Sequence, residues 1–522
     1  MLRNVVETFL DTVTEREFDA PLMALLAAQG FSDIHFTHGA NEFGKDIIAK
    51  RVDGDPPKLR QYAIQAKAGD IGMSDWRSIR PQVEEAERNT LSHPNFDERL
   101  PRTAVLVTTG RLVGGAPLDA QQVAQRSRRS GRRFVTWERP QLAEWLSADP
   151  TLTLGRSDGD LLQLLASIDK RSVREQELEY FSRRWLSRPG LDNETARLGN
   201  ASVEAAVIAN RLRAGGRLDL AAYVALHLLR AAWAGNVNRD PENRPQLATG
   251  ATRLFGDYVV SLLGEALPLL NDPADLLASV FDPLSIVTYP TVCCRLGELF
   301  ALLALIEEFE PELLTATSNG TAGAAVLSLV RQHPGTCRPI SDEFAVSVIA
   351  PAIVLYRIDP ATCRSYWKNL TSWTLERFDD RADGLGVGAI GESEELLTER
   401  LLGAPLESTN VTRRRSSYLA TVLLDIAAAL SLDDLYDALQ NNLKPYQIYP
   451  TLTVAENSSV LNRFGRGTRP IAAVNYRTLS ARGSAADHHT SSPTFPLIDE
   501  LLITSSIRSR HSYRAIVDAR SF

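Results

Sequence analysis

Along the first 150 residues the spacing of apolar positions changes period several times, and each change marks a structural element. Phe18, Leu22, Leu25, Leu26 and Gln29 fall on one helical stripe that Gly30 ends, which predicts an amphipathic helix near the amino terminus. A strand is expected over 33–37, a loop over 38–44 with two glycines and an asparagine, a second strand over 45–52 and a turn over 53–57. Residues 61–67 alternate, with Tyr62, Ile64 and Ala66 on one face, and predict a third strand. Ser74 is expected to cap a helix reaching about Arg88. Beyond it, 103–109 reads as a buried strand, 118–129 as a helix, 133–137 as a strand and 141–146 as a short helix. Strands alternating with helices indicate an α/β layer fold with a central sheet flanked by helices.

After 154–159 the texture changes. Segments such as 161–185, 203–234, 254–270, 292–309, 344–356 and 418–430 carry helical periodicity with few alternating runs. They predict a bundle or an array of stacked helices, although no fixed repeat length emerges. From Tyr446 onward Gly, Ser, Thr and Pro increase, and 480–496 reads as loop. The expected domains are therefore 1–152 (α/β), 160–445 (mostly α-helical) and 446–522 (mixed, partly loop), with an exposed linker at 154–159.

At 522 residues the chain exceeds one ordinary core, and 44% hydrophobic with 23% charged residues is the usual composition of a globular protein. The longest apolar runs fall short of the ~20 residues that span a bilayer, and no basic-then-apolar leader opens the sequence. The expectation is a cytoplasmic protein with no membrane partner. Four cysteines are too few for a disulfide framework and have no zinc spacing, so buried free thiols are expected. No Walker lysine motif is present, so no built-in nucleotide motor is expected; Gly465 and Gly467 lack the preceding strand of a phosphate cradle. The net charge of −7 hides an uneven distribution. Between Arg99 and Arg139 nine arginines face two acids, and Arg126, Arg128, Arg129, Arg132 and Arg133 crowd around one predicted helix end. Such a run either complements the helix dipole or tracks a phosphate backbone.

The residues with the clearest chemistry lie in 46–67. Period two puts Gln65 and Lys67 on the same side of their strand, one hairpin from Asp46. A carboxylate and an amide oxygen are hard ligands for an ion of the Mg²⁺ kind, and an adjacent ammonium stabilises negative charge on a phosphate. The chain holds 50 arginines and seven lysines, yet this position is a lysine, a compact point charge.

These residues resemble the Mrr-like branch of the PD-(D/E)xK nuclease superfamily. The text that carries the resemblance is Gly44-Lys45-Asp46-Ile47-Ile48-Ala49, then Gln65-Ala66-Lys67, with Val105-Leu106-Val107-Thr108-Thr109-Gly110-Arg111 downstream. Phe18-Asp19, Leu25-Leu26 and Gly30-Phe31 look like the family's first helix, with Asp19 where the family usually has Glu. The resemblance covers about 13–147. It implies a restriction-endonuclease-like fold and a metal-dependent endonuclease cutting DNA, in restriction or phage defence. Asp46, Gln65 and the Ala66 carbonyl would hold Mg²⁺, with Mn²⁺ as a substitute, Lys67 would act on the phosphate or water, and Asp19 or Glu17 would complete or orient the shell. Arg126, Arg128, Arg129, Arg132, Arg133 and His38 are the expected DNA contacts. A non-catalytic nucleic-acid-binding or assembly protein on the same fold, and an RNA nuclease, are the alternative readings. The helical region is expected to sense a signal, to form a homo-oligomer or to dock a partner subunit.

Overall fold

The computed structural model describes residues 2–37, 45–53, 57–91, 93–148, 158–186, 194–236, 244–280, 284–403, 411–453, 470–473 and 495–507. The chain forms two compact units. The first comprises 1–173, 187–216 and 246–250, and the second comprises 174–186, 217–245 and 251–522.

The first unit opens with α1 (Leu2–Thr12), which the apolar pattern did not flag, and α2 (Glu15–Ala28). Thr14 caps α2 through a capping box with Glu17, and Gly30 at φ +78° turns the chain out of it. Strands β1 (Ser32–Phe36), β2 (Ile47–Asp53) and β3 (Lys58–Lys67) follow. Then come α3 (Met73–Arg88), β4 (Arg102–Thr108), α4 (Ala116–Arg129), β5 (Arg133–Trp137) and α5 (Arg139–Ala148). The five strands form one mixed sheet in sequential order: β1, β2 and β3 are antiparallel, and β4 and β5 run parallel to β3. Each expected strand of this domain is present, with its ends moved by no more than three residues.

Apolar side chains cover both faces of the sheet. On one face Ala63, Ala104, Leu106 and Phe134 pack under Trp76, Ile79 and Val83 of α3 and Ala120 and Val123 of α4. On the other, Tyr62 meets Phe31 edge-on with ring centroids 4.8 Å apart, and Trp137 meets Trp145 at 5.2 Å. Trp76 and Trp137 are both buried core aromatics.

The first unit extends past the expected boundary at 152. Helices α6 (Asp158–Asp169) and α8 (Glu194–Ala214) belong to it; α7 (Glu175–Ser182) lies between them in sequence and belongs to the second unit. Helix α8 packs on α2 and contributes Asn210 and Arg213 to the contact, and Arg211 pairs with Asp169 of α6. The expected linker at 154–159 lies largely outside the described residues.

The second unit is mostly helical. It contains α9 (Leu218–Asn236), most of α10 (Gln246–Ala266), α11 (Pro273–Ser279), α12 (Ser285–Phe309), α13 (Thr321–Gln332), α14 (Ile349–Ile358) and α15 (Pro360–Phe378). Helices α16 (Glu394–Leu402), α17 (Tyr418–Ala429), α18 (Asp433–Leu443) and α19 (Leu497–Ile507) complete the set. Strands β6 (Ser416–Ser417), β7 (Tyr449–Thr453) and β8 (Pro470–Ala473) form a small sheet. The strand at 449–453 thereby joins the tail to the preceding helices.

Helix α12 is the one described helix long and apolar enough to cross a membrane, and 72% of its most apolar stretch is buried inside the unit. On it Glu298 is fully buried and accepts hydrogen bonds from Tyr223 (2.7 Å) and Ser347 (2.9 Å). Burial with satisfied polar groups is the behaviour of a core helix. The four cysteines are buried free thiols, and burial pushes Cys293, Cys337 and Cys363 up to about 12.

Candidate functional site

The end of β3 carries the chemistry because its neighbour β2 stops three residues short of it. Ile47 pairs with Ile64, and the Asp46 amide still donates to the Ile64 carbonyl at 2.8 Å. Beyond that point the Ala66 N–H has no strand carbonyl to meet, and the Asp46 carboxylate takes its place. Oδ2 of Asp46 accepts from the Ala66 amide and from the Gln65 side-chain amide, both at 2.7 Å. Three sequence positions 19 and 20 residues apart thus converge through a terminated strand ladder.

The backbone of β3 alternates sides. Gln61 N–H reaches the Pro101 carbonyl and Lys67 C=O receives the Thr109 N–H, so odd positions bond toward β4. The N–H and C=O of Ala66 therefore face β2, the side on which Asp46 sits. Asp46, Gln65 and Ala66 thus bring together a carboxylate, a side-chain amide whose nitrogen faces Asp46, and a backbone carbonyl on the β2 side, and each of these groups carries a hard oxygen. Among the described residues no three His, Cys, Asp or Glu side chains converge. The donor set suits a hard divalent cation of the Mg²⁺ or Mn²⁺ kind and offers no soft thiolate ligand.

Lys67 follows on the same face of β3. Its ammonium lies 3.3 and 3.2 Å from the two carboxylate oxygens of Glu15, the first residue of α2. Sequence reading missed Glu15 and named Asp19 or Glu17 instead. One helical turn separates Glu15 from Asp19, so both share a face of α2, while Glu17 lies about 200° around the helix from Glu15. Asp19 is mostly buried and pairs with Arg16 at 3.5 Å. Glu17 is corrected from its expected site role: it is 1% exposed and faces α8. There it accepts from the Thr14 amide (2.9 Å), Asn210 Nδ2 (3.2 Å) and Arg213 Nε (2.8 Å). The helix phase of Glu15 relative to Phe18 and Leu22, both buried, was the signal available in the sequence.

The loops beyond β3 and β4 fix the position of Lys67. Thr108 Oγ1 donates to the Gly69 carbonyl at 2.6 Å, the Gly69 amide donates to Thr109 Oγ1 at 2.9 Å, and Arg111 N–H reaches Asp70 at 2.8 Å. A Cβ on Gly110 would lie 2.2–2.3 Å from the backbone of Gly69 and Asp70, so only glycine fits there. The Val-Thr-Thr-Gly stretch is thus a latch on the loop that leaves Lys67.

Behind Asp46, Lys45 is buried near Phe96, and burial, with the like charge of Arg102, lowers it to about 8. His35 contacts Asn95 at 2.6 Å and the His93 ring at 5.2 Å; burial and then the neighbouring His93 lower its proton affinity. His38 and His488-His489 lie outside the described residues.

The topology places the arginine run away from this cluster. Arg133 aligns with Thr103 of β4, which aligns with Tyr62 of β3, five positions before Lys67. Because α4 returns the chain from the end of β4 to the start of β5, its carboxy-terminal arginines sit at the opposite end of the sheet, about 16 Å along the strand direction.

Residues 10–146 match the family model for restriction endonucleases of the Mrr catalytic-domain type. The amino-terminal domain is an Mrr-type restriction endonuclease domain. The match begins inside α1, ends within α5 and contains the Asp46–Gln65–Ala66–Lys67 cluster together with Glu15 and the Thr108–Gly110 latch. It gives this domain a nuclease fold and a hydrolase function of the nuclease class. It covers none of α6, α8 or the second unit. Neither a curated protein nor a solved structure matches the chain.

Proposed function

We propose that the Mrr-type domain is a divalent-metal-dependent endonuclease that hydrolyses DNA phosphodiesters. The observation that carries this reading is the convergence of Asp46, Gln65 and Ala66 at the end of β3 with Lys67 on the same face. Asp46, the Gln65 amide oxygen and the Ala66 carbonyl would hold an ion of the Mg²⁺ kind, with Mn²⁺ as a substitute. When bound, such an ion supplies a Lewis acid that polarises the scissile phosphate and acidifies water.

The chain's own residues supply the rest. Asp46 accepts two N–H bonds at one oxygen, which fixes the plane of its carboxylate and the direction of its second oxygen. Gln65 donates through its NH₂ branch, so its carbonyl oxygen lies on the opposite branch of a held amide. Lys67 places a positive charge where the pentacoordinate phosphate gathers negative charge, and Glu15 orients the ammonium until substrate arrives. Asp19, on the Glu15 face of α2, is the second carboxylate available to the site.

The setting we infer is restriction or phage defence, by analogy with the family whose domain this is. The second unit would then act in sensing, assembly or partner docking. The deciding experiment incubates the full chain with supercoiled plasmid in Mg²⁺ or in EDTA, beside Asp46→Ala and with single-stranded RNA as a second substrate. Nicking or linearisation that needs Mg²⁺ and vanishes in the variant is expected. Cleavage that persists in EDTA or in Asp46→Ala overturns the mechanism, and cleavage of RNA alone overturns the substrate.

A further inference from the structure

Five arginines at the end of the first unit's sheet remote from Lys67 take no part in the site described above. Arg126, Arg128 and Arg129 occupy the last turn of α4, and Arg132 and Arg133 follow the Gly131 turn into β5. All five are exposed, and none makes an ion pair with a described carboxylate. Their geometry is set by backbone. Gly131 at φ +75° lets Arg132 N–H reach the Ser127 carbonyl (2.8 Å) and its own N–H reach that of Arg128 (3.1 Å). This is a glycine-terminated helix cap that holds the two arginine groups against each other. Arg102 at the start of β4 feels the charges of both Glu98 and Arg132, stacks on Phe96 at 4.6 Å and donates to the Asn89 carbonyl at 2.6 Å.

The helix dipole does not account for this concentration. A helix end carries about half a negative charge, enough to complement one guanidinium of the last turn, and it does not act on residues that follow the turn. Five like charges held within one turn and one strand start repel one another in the free protein, and a polyanion relieves that repulsion. The domain is a nuclease, and the polyanion it meets is its substrate.

We propose that this arginine end is a second anchor for duplex DNA, binding phosphates remote from the scissile bond. The inference rests on the DNA-cleavage reading above and adds a geometry to it. Arg133 is five strand positions and two strands away from Lys67, about 19 Å between backbones at ~3.3 Å per residue and ~4.8 Å per strand. At 3.4 Å per base pair that separation corresponds to about six base pairs of duplex. The arginines set affinity and the reach of the complex, and they contribute nothing to the bond-breaking step.

The test compares the full chain with the triple variant Arg128→Ser, Arg129→Ser, Arg132→Ser and with the matching triple lysine variant. Binding to a fluorescent duplex of about 30 base pairs is read by anisotropy in EDTA across a salt series, and each phosphate contact contributes about 0.9 to the slope of log affinity against log salt. The serine variant should lose up to ~3 units of slope and bind more weakly, and the lysine variant should restore most of the slope because it keeps the charge. A serine variant with wild-type affinity and slope overturns the anchor while leaving the nuclease reading intact. A wild-type chain that binds and cuts no duplex overturns both.

Discussion

Glu17 is the residue whose role the structure changes most, and replacing it separates folding from chemistry. Glu17→Ala removes a carboxylate that is 1% exposed and serves two purposes. It completes the capping box of α2, worth about 1 kcal/mol. It also accepts from Asn210 and Arg213 of α8, 193 and 196 residues away in sequence. Breaking a buried pair by removing one partner costs about 3–5 kcal/mol, and the lower end applies because the Arg213 side chain is 32% exposed. The two effects overlap at one carboxylate, so a total near 3–4 kcal/mol is expected. For a unit of this size each kcal/mol lowers Tm by about 2–4 °C, which gives a fall of roughly 10 °C. The assay is thermal unfolding of the full chain by near-ultraviolet circular dichroism, with plasmid cleavage measured below the transition. The variant should melt early and, while folded, cut within a few-fold of wild type. A variant that melts with wild type, or one that is folded and inactive, would refute this reasoning and return Glu17 to the catalytic set.

Lys67→Ala should lower turnover by about 10²–10³ with an unchanged melting curve, because its pair with Glu15 is solvent-accessible and worth under ~1 kcal/mol; wild-type turnover in the variant would remove Lys67 from the site. Glu15→Gln should change the rate of cleavage more than the melting temperature, and a rate identical to wild type would make Glu15 a bystander. Gly110→Ala should destabilise the first unit by about 2–4 kcal/mol and cut activity through displacement of the loop after Lys67, since its Cβ has no room; an unchanged melt and rate would show that the latch yields freely. Lys45, held near 8 in the fold and near 10.5 when unfolded, binds fewer protons folded than unfolded between those values. Its contribution to stability therefore rises as pH increases from about 8 to 10, and Lys45→Met should flatten that rise relative to wild type in denaturant melts taken across the range.

The local pattern made most of the first domain legible. Alternation in 61–67 located β3 and set Gln65 and Lys67 on one face, and the stripe of Phe18, Leu22, Leu25 and Leu26 located α2, because both signals arise from fixed side-chain directions within a single element. Asp46 was readable as a partner because one hairpin joins its strand to β3, and antiparallel neighbours in sequence are neighbours in space. Helix α1 was not readable from the stripe that gave α2, and the linker expected near 154–159 hid the return of α8 to the first unit.

Sequence alone therefore determined every element of the nuclease domain from α2 onward, the strand that bears Gln65 and Lys67, and the identity of the Asp46 partner. The tertiary structure decided which carboxylate of α2 meets Lys67, where the arginine run lies, and how far the first unit extends. Each of these depends on contacts remote in sequence. Glu17 is claimed by Asn210 and Arg213 of a helix almost 200 residues on. The arginines are carried to the far end of the sheet by the parallel return from β4 to β5. Side-chain periodicity records which face of an element is buried, but not what buries it, and that second fact exists only once the chain has packed on itself.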